Sequence, residues 1–166
     1  DPNLGAAEVR IKLVSTLAEA AGARGMVLGQ AQDIAAETAA SPLTLEQITE
    51  LQSNKTGALL EWPAHAAAII AGQDPAPLRA YARAIGLAFQ IADDILDVEG
   101  DSSKAGKALR KDADAGKATF VTLLGLDGAK AEAARLVAEA ETALAPFGDK
   151  AQSLRDLARF IIARDR

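Results

Sequence analysis

Apolar residues recur at helical spacing from the beginning of the chain. In the segment EVRIKLVSTLAEAA (8–21), Val9, Leu13 and Leu17 follow one another at intervals of four residues. This interval places them on one face of a helix, so the pattern predicts a helix over 8–21. After Gly25 the run MVLGQAQDIAAE keeps the same periodicity and predicts a second helix.

Turn and cap residues divide the rest of the chain. The stretch SPLT (41–44) interrupts the periodicity, and Thr44 and Gln47 have the spacing of a capping box, which predicts the start of a third helix. We expect Pro63 to interrupt that helix, because a proline inside a helix removes a hydrogen bond and forces a kink. Beyond it the sequence predicts a loop at 71–77, an irregular connection at 100–116, and helices near 77–98, 117–127, 128–145 and 151–164.

The composition favours a single helical domain covering residues 1–166. The chain is 49% hydrophobic but only 4% aromatic, so Ala, Leu, Ile and Val fill its interior, as in closely packed helices. No segment alternates with the two-residue period of a strand. We therefore predict an all-α fold of about six to eight helices around one hydrophobic core.

Charge and residue usage exclude several classes of function. The net charge of -5, with mixed signs, argues against nucleic-acid binding, which concentrates Lys and Arg on one surface. The chain has no cysteine and one histidine, so any metal must bind oxygen. The longest apolar runs, such as AAAIIA (66–71), are far shorter than the roughly 20 residues of a membrane span, and no signal peptide opens the chain. We expect a cytoplasmic protein, and the start at DPNLG without Met suggests part of a longer chain.

An acidic cluster at the end of the helix predicted near 77–98 is the first indication of a specific site. Five carboxylates fall within nine residues, namely Asp93, Asp94, Asp97, Glu99 and Asp101. On a helix Asp93 and Asp97 share a face with Gln90, and both like-charge repulsion and the negative helix end cost about 0.2–1 kcal/mol. A Mg²⁺ ion would reverse both effects, because it prefers carboxylate oxygen and keeps waters that substrate phosphates can replace. Taken alone, the cluster fits a solvated acidic helix end better than a metal site.

The motifs around the cluster reverse that preference. FQIADDILD followed by GDSSKAGK and KDADAGKATF resembles the second aspartate-rich motif of the trans-isoprenyl diphosphate synthases, most closely the bacterial farnesyl diphosphate synthase (geranyltranstransferase) type. GARGMVLGQAQD resembles that family's Gly-Met-x-x-Gly-Gln-x-x-Asp helix, NKTGALL its Lys-Thr-Gly helix break, and ATFVTLLGLDGA the helix after its lysine-bearing loop. The resemblance extends over essentially the whole chain.

The resemblance implies a fold and a reaction. The fold would be an all-α isoprenoid-synthase bundle, in which two Asp-rich motifs face each other across a deep cavity and hold Mg²⁺ ions, or Mn²⁺, on an allylic diphosphate. The enzyme would be a prenyltransferase that condenses dimethylallyl or geranyl diphosphate with isopentenyl diphosphate, giving farnesyl diphosphate and pyrophosphate. Similarity to the family also implies a homodimer.

The resemblance also implies roles for individual residues. The implied metal ligands are Asp93, directly, with Asp94 and Asp97 partly through water. The implied substrate-binding residues are Gln30, Asp33, Lys55, Thr56, Phe89, Gln90, Lys107, Asp112 and Lys117. Among these residues, Lys55 would bind the diphosphate, and Thr56 and Gln90 would lie beside the developing carbocation. Lys107 and Lys117 would neutralise diphosphate oxygens, with Asp112 supporting their loop, and Phe89 would pack in the core as well as line the cavity.

Part of the family pattern is missing from the sequence. The 166 residues contain no first Asp-rich motif and no Arg-Arg pair or Gly-Lys-x-x-Arg stretch of the kind that binds isopentenyl diphosphate. The chain is therefore interpreted as the C-terminal half of such an enzyme, which would be inactive without its N-terminal half. Two alternatives remain open: a non-catalytic helical subunit that keeps the fold, and a synthase of geranylgeranyl or longer chains.

Overall fold

The computed structural model describes residues 1–99 and 118–164, and within these ranges the backbone is helical, with no strand. The prediction of an all-α fold is confirmed. A π-helical turn, Ser53–Gly57, connects the third helix to the fourth, and short 3₁₀ turns occupy Pro2–Leu4 and Ala145–Ala151. The α-helices are α1 (Ala7–Ala21), α2 (Met26–Glu37), α3 (Leu45–Gln52), α4 (Ala58–Ala71), α5 (Ala76–Glu99), α6 (Phe120–Ala143) and α7 (Gln152–Ala163).

Helices α5 and α6 pack against each other and form the centre of the core. On α5 the buried residues Ala84, Ala88 and Ile91 recur at intervals of four and three, which places them on one helix face. Ile91 and Phe120 are fully buried, and each contributes about 1.5–3 kcal/mol through its removal from water. The Tyr81 hydroxyl donates a hydrogen bond to the carbonyl of Leu154 at 2.8 Å and joins α7 to α5. The polar residues at the end of α5 therefore lie on a helix that core packing holds in place.

The start of α3 agrees with the capping box predicted from the sequence. The Gln47 N–H donates to the Thr44 hydroxyl at 3.3 Å, and the Thr44 N–H donates to the Gln47 side-chain oxygen at 2.9 Å. Two backbone donors that the helix itself cannot satisfy are thereby satisfied at its N-terminus.

The predicted interruption at Pro63 is wrong, because α4 continues through this residue to Ala71. Proline removes one backbone hydrogen bond, but packing fixes α4 on both sides of it. Before the proline ring, the Trp62 indole N–H donates to the Thr16 hydroxyl of α1 at 3.1 Å. After it, Ala66 and Ala68 are buried, and these tertiary contacts outweigh the loss of a single hydrogen bond.

The two helices predicted at 117–127 and 128–145 form one element, α6, with a local break at Gly125. Gly125 has φ 73° and ψ 164°, a conformation that only glycine adopts without strain. The pattern therefore located two helical segments correctly but misplaced their junction by a few residues. The connection predicted at 100–116 lies outside the described residues. Among the helices that are described, none has the length and apolarity needed to cross a membrane.

Candidate functional site

A cavity of about 720 Å³ lies between α2, the loop that follows it, the α3–π turn region and the end of α5. Six residues implied by the sequence line it, namely Asp33, Lys55, Thr56, Gln90, Asp93 and Asp94. They come from three separate stretches of the chain, so the fold gathers groups that the sequence alone could relate only through a family resemblance.

The π-helical turn brings Lys55 and Thr56 to the cavity wall. The backbone of this turn lies so close to α2 that a Cβ atom on Gly29 would be 2.1 Å from the backbone nitrogen of Lys55. Only glycine permits this approach, because real Cβ contacts do not occur at such distances. One helical turn after Gly29, Asp33 accepts a hydrogen bond from the Lys55 ammonium at 2.6 Å. Glycine and aspartate of α2 therefore fix the position and charge environment of Lys55 together.

A chain of side-chain hydrogen bonds also joins the same turn to α2. The Asn54 amide donates to the Gln32 side-chain oxygen at 3.1 Å, and the Gln32 amide donates to the Glu50 carboxylate at 3.2 Å. A π-helical turn inserts an extra residue into the helix and is frequent at functional sites. These contacts stabilise that insertion and keep Lys55 facing α2.

Asp93, on the last turns of α5, is held by an arginine from the far end of the chain. A guanidinium nitrogen of Arg164 contacts Asp93 Oδ1, although 71 residues separate the two. The Arg164 guanidinium also lies over the Phe89 ring, 4.2 Å from its centroid, one turn before Asp93. Burial raises the pKa of the Asp93 carboxyl, while the charge and hydrogen bond of Arg164 act in the opposite direction. No local sequence pattern indicated that Arg164 would be the partner of Asp93.

Asp94 has a structural contact in addition to its place on the cavity wall. One carboxylate oxygen, Oδ2, accepts a hydrogen bond from the Phe120 N–H at 2.7 Å. Phe120 is the first residue of α6, and its N–H has no acceptor within that helix. Asp94 thereby connects the acidic end of α5 to the beginning of α6.

The described cavity wall is rich in oxygen ligands and negative charge. Its ionisable residues are one lysine, Lys55, and the four acids Asp33, Glu37, Asp93 and Asp94. These carboxylates are hard oxygen ligands, which suit Mg²⁺, so the donor set fits this ion. In the described part of the chain, no three acidic or histidine side chains converge into a complete metal cage. Mg²⁺ commonly binds through one or two carboxylates and takes its other ligands from water and substrate phosphates.

Several residues implied by the resemblance are not brought to this wall. Gln30 is exposed on α2 while Asp33, three residues later, turns toward Lys55. Phe89 packs against the hydrophobic core, in agreement with its expected core role, and is not among the described residues that line the cavity. Asp97 is likewise not among them. The remaining implied residues, Lys107, Asp112 and Lys117, lie outside the described residues.

A second cavity, of about 710 Å³, contains an ionic cluster that the sequence pattern did not suggest. Glu61 of α4 accepts hydrogen bonds from Arg79 and, at 2.6 Å, from Arg83, both on α5. Burial alone would raise the pKa of Glu61, but the hydrogen bonds and charges of Arg83 and Arg79 outweigh it and hold this pKa below its ordinary value. The signal that could have revealed this cluster is a single acidic residue, Glu61, within the mostly apolar sequence of α4. The cluster connects α4 to α5.

Known proteins resemble this chain along almost its entire length. Residues 4–154 match the sequence model of the family described as Polyprenyl synthetase. The farnesyl diphosphate synthase of Geobacillus stearothermophilus is 40% identical over 160 aligned residues, covering 95% of this chain and 53% of that protein. The geranylgeranyl pyrophosphate synthase 9 of Arabidopsis thaliana is 42% identical over 166 aligned residues, covering 97% and 46%.

A solved structure supports the same relationship in three dimensions. The crystal structure of an FPP/GFPP synthase from Zymomonas mobilis has a TM-score of 0.81 and 48% sequence identity, covering 93% of this chain and 51% of that one. The chain thus spans about half the length of the relatives it matches.

Proposed function

Because this chain belongs to the polyprenyl synthetase family, we propose that it supplies one wall of a trans-prenyltransferase site. The reaction is the condensation of an allylic diphosphate with isopentenyl diphosphate to give farnesyl diphosphate and pyrophosphate. The observation that carries this proposal is the cavity in which one lysine and four acids meet, since an oxygen-rich, negatively charged wall suits a diphosphate that arrives with divalent cations.

Ionisation of the allylic diphosphate determines what the protein must provide. The allylic carbon–oxygen bond breaks, and its electron pair remains as negative charge on the diphosphate. The Lys55 ammonium, already positioned by Asp33, stabilises that charge without reorganisation. Asp93, with Asp94 and Asp97 acting partly through water, would hold Mg²⁺, which would supply Lewis-acid stabilisation of the same oxygens when bound.

The carbocation left behind requires polar neighbours that do not react with it. Thr56 and Gln90, which line the same cavity, would offer oxygen dipoles to the positive carbon. The double bond of isopentenyl diphosphate then forms the new carbon–carbon bond, and the pyrophosphate accepts the proton that is lost. The proposed roles of Lys107, Lys117 and Asp112 in neutralising diphosphate charge belong to the segment outside the described residues.

Two parts of the proposal concern the protein as a whole. Because the chain spans about half the length of its relatives, we propose that catalysis requires an N-terminal half that supplies the first Asp-rich motif and the isopentenyl diphosphate site. Farnesyl diphosphate is proposed as the product because this name recurs among the relatives. The similarity to a geranylgeranyl synthase makes a longer product the alternative.

Ligand-dependent thermal stability tests the metal–diphosphate site. Mg²⁺ together with pyrophosphate should raise the melting temperature of the chain more than Mg²⁺ alone, because ligands that bind only the folded state stabilise it. Asp93→Asn should reduce this shift. Glu99→Gln is the matched control, since Glu99 lies on the same helix but pairs with Lys130 on the surface. Equal shifts for Mg²⁺–pyrophosphate and for a monovalent salt of matched ionic strength would contradict the proposal.

A further inference from the structure

Arg164 reaches the acidic end of α5 from outside the cavity. Asp93 is one of the residues that line the cavity, whereas Arg164 and Phe89 are not among the described lining residues. The arginine nevertheless contacts Asp93 Oδ1. It therefore contacts the carboxylate without itself lining the cavity in which a ligand would bind.

The surroundings of Arg164 hold it in place. Its side chain is 17% exposed, against 47% for that of Asp93. Its guanidinium lies 4.2 Å from the centroid of the Phe89 ring, within the range of a cation–π interaction. Its backbone N–H donates to the carbonyl of Phe160 at 3.1 Å, which anchors the residue to the end of α7. An arginine packed in this way is a fixed support rather than a surface charge that happens to lie near a carboxylate.

From this arrangement we infer that Arg164 is a positioning residue for Asp93. By donating to Oδ1, it fixes the orientation of the carboxylate and leaves the other oxygen, Oδ2, for a divalent cation in the cavity. Hydrogen bonds to a metal-binding carboxylate commonly serve this purpose, and their loss weakens metal binding. The inference rests on the proposed function, because it assigns Asp93 to a metal.

Whether replacement of Arg164 weakens or tightens cation binding distinguishes a positioning role from simple charge repulsion. Removal of a positive charge near a cation site should tighten cation binding if the charge merely repels the ion. Removal of a positioning group should weaken it, by about ten- to a hundredfold. Arg164→Gln separates these cases, because it removes the charge and the guanidinium fork while leaving a shorter, uncharged polar side chain.

Titration of the 166-residue chain with Mn²⁺, followed by the electron paramagnetic resonance of the unbound ion, measures the effect directly. Arg164→Gln should bind Mn²⁺ about ten- to a hundredfold more weakly than the unmodified chain. Arg164→Lys should be intermediate, since it keeps the charge but loses the planar fork and the stacking. Arg159→Gln is the control, because Arg159 lies on α7, just before Arg164 in the chain, and pairs with Glu141 on the surface. It should leave Mn²⁺ binding unchanged.

A double-mutant cycle tests whether Phe89 acts through Arg164. Phe89→Leu should weaken Mn²⁺ binding less than Arg164→Gln does, and the double variant should be no weaker than Arg164→Gln alone. Circular dichroism and thermal melts identify any variant that loses its fold. A loss of Mn²⁺ binding that merely follows the unfolded fraction would overturn the inference.

The other outcomes separate this inference from the proposed function. If Asp93→Asn abolishes Mn²⁺ binding but Arg164→Gln leaves it unchanged or tightens it, the positioning role is overturned and the proposed metal site stands. If the chain shows no Mn²⁺ binding that depends on Asp93, both are overturned.

Discussion

The Lys55 ammonium donates a hydrogen bond to Asp33 Oδ2 at 2.6 Å, and this contact lies one helical turn from the point where Gly29 meets the backbone of Lys55. Two residues of α2 therefore position the π-helical turn. Gly29 allows the backbone of the turn to approach closely, and Asp33 pairs with the Lys55 ammonium. The pair is partly exposed, at 34% for Lys55 and 21% for Asp33. Exposed ion pairs contribute little to stability, so the close backbone approach at Gly29 is the feature expected to dominate.

Gly29→Ala should destabilise the fold by at least about 2–3 kcal/mol, because the new Cβ would overlap backbone atoms that cannot move independently. The measurement is the midpoint of urea unfolding. Gly57→Ala is the control, since its Cβ would meet its nearest neighbour at 3.5 Å, an ordinary contact. Equal unfolding midpoints for the two variants would contradict the close backbone contact between α2 and the π-helical turn.

Local sequence patterns account for most helices but not for the contacts that build the site. The capping box at Thr44 and the periodicity of α5 were predicted correctly, because both depend on neighbouring residues. The continuation of α4 through Pro63 depends on packing against other helices, which no local pattern encodes. The contact between Arg164 and Asp93 joins positions 71 residues apart, so it becomes apparent only after the chain has folded. Residues such as Lys55 could be assigned to the cavity only through resemblance to a family.

Asp94 should show separate structural and ligand-binding effects. Asp94→Ala removes the acceptor of the Phe120 N–H and should cost about 1–2 kcal/mol of stability. Asp94→Asn keeps an oxygen at that position and should cost less, yet it removes a negative charge from the cavity. Both variants should therefore show a smaller thermal shift with Mg²⁺ and pyrophosphate. If Asp94→Asn retains the full thermal shift, Asp94 does not contribute to ligand binding and has only its structural contact with Phe120.

Glu61 should make stability depend on pH. Its pKa is held below the ordinary value in the folded state, so its contribution is present above the unfolded-state pKa and is lost as pH falls through the folded one. Glu61→Gln should destabilise the protein by about 1–3 kcal/mol at pH 7, and by progressively less as the solution is acidified below about pH 4.

Urea titrations at several pH values measure this dependence. Glu139→Gln provides the control, because Glu139 and its partner Arg135 are both more than half exposed, and it should change stability by less than about 1 kcal/mol. A Glu61→Gln effect that is constant from pH 7 to pH 3 would contradict the assigned role of the two arginines.

Exposed apolar side chains on α1 predict association, in keeping with the homodimer that the family resemblance implies. Ile11 is 67% exposed and Val14 is 70% exposed, and exposed apolar surface of this kind favours contact with a partner. We expect sedimentation velocity to detect self-association that Val14→Glu weakens at least about tenfold. Ser15→Glu introduces the same charge next to this site and should have little effect. Monomeric behaviour of the unmodified chain at all concentrations would contradict the prediction.

Prenyl transfer in a reconstituted enzyme tests the central claim most directly. The chain is mixed with the N-terminal half of a related farnesyl diphosphate synthase, and pyrophosphate release is measured with geranyl diphosphate, isopentenyl diphosphate and Mg²⁺. The chain alone should release no pyrophosphate, and the mixture should show turnover. In the mixture, Asp93→Ala should lower kcat by at least about a hundredfold, whereas Glu99→Ala should be nearly silent. Robust turnover by the chain alone, or equal losses from Asp93→Ala and Glu99→Ala, would contradict the account.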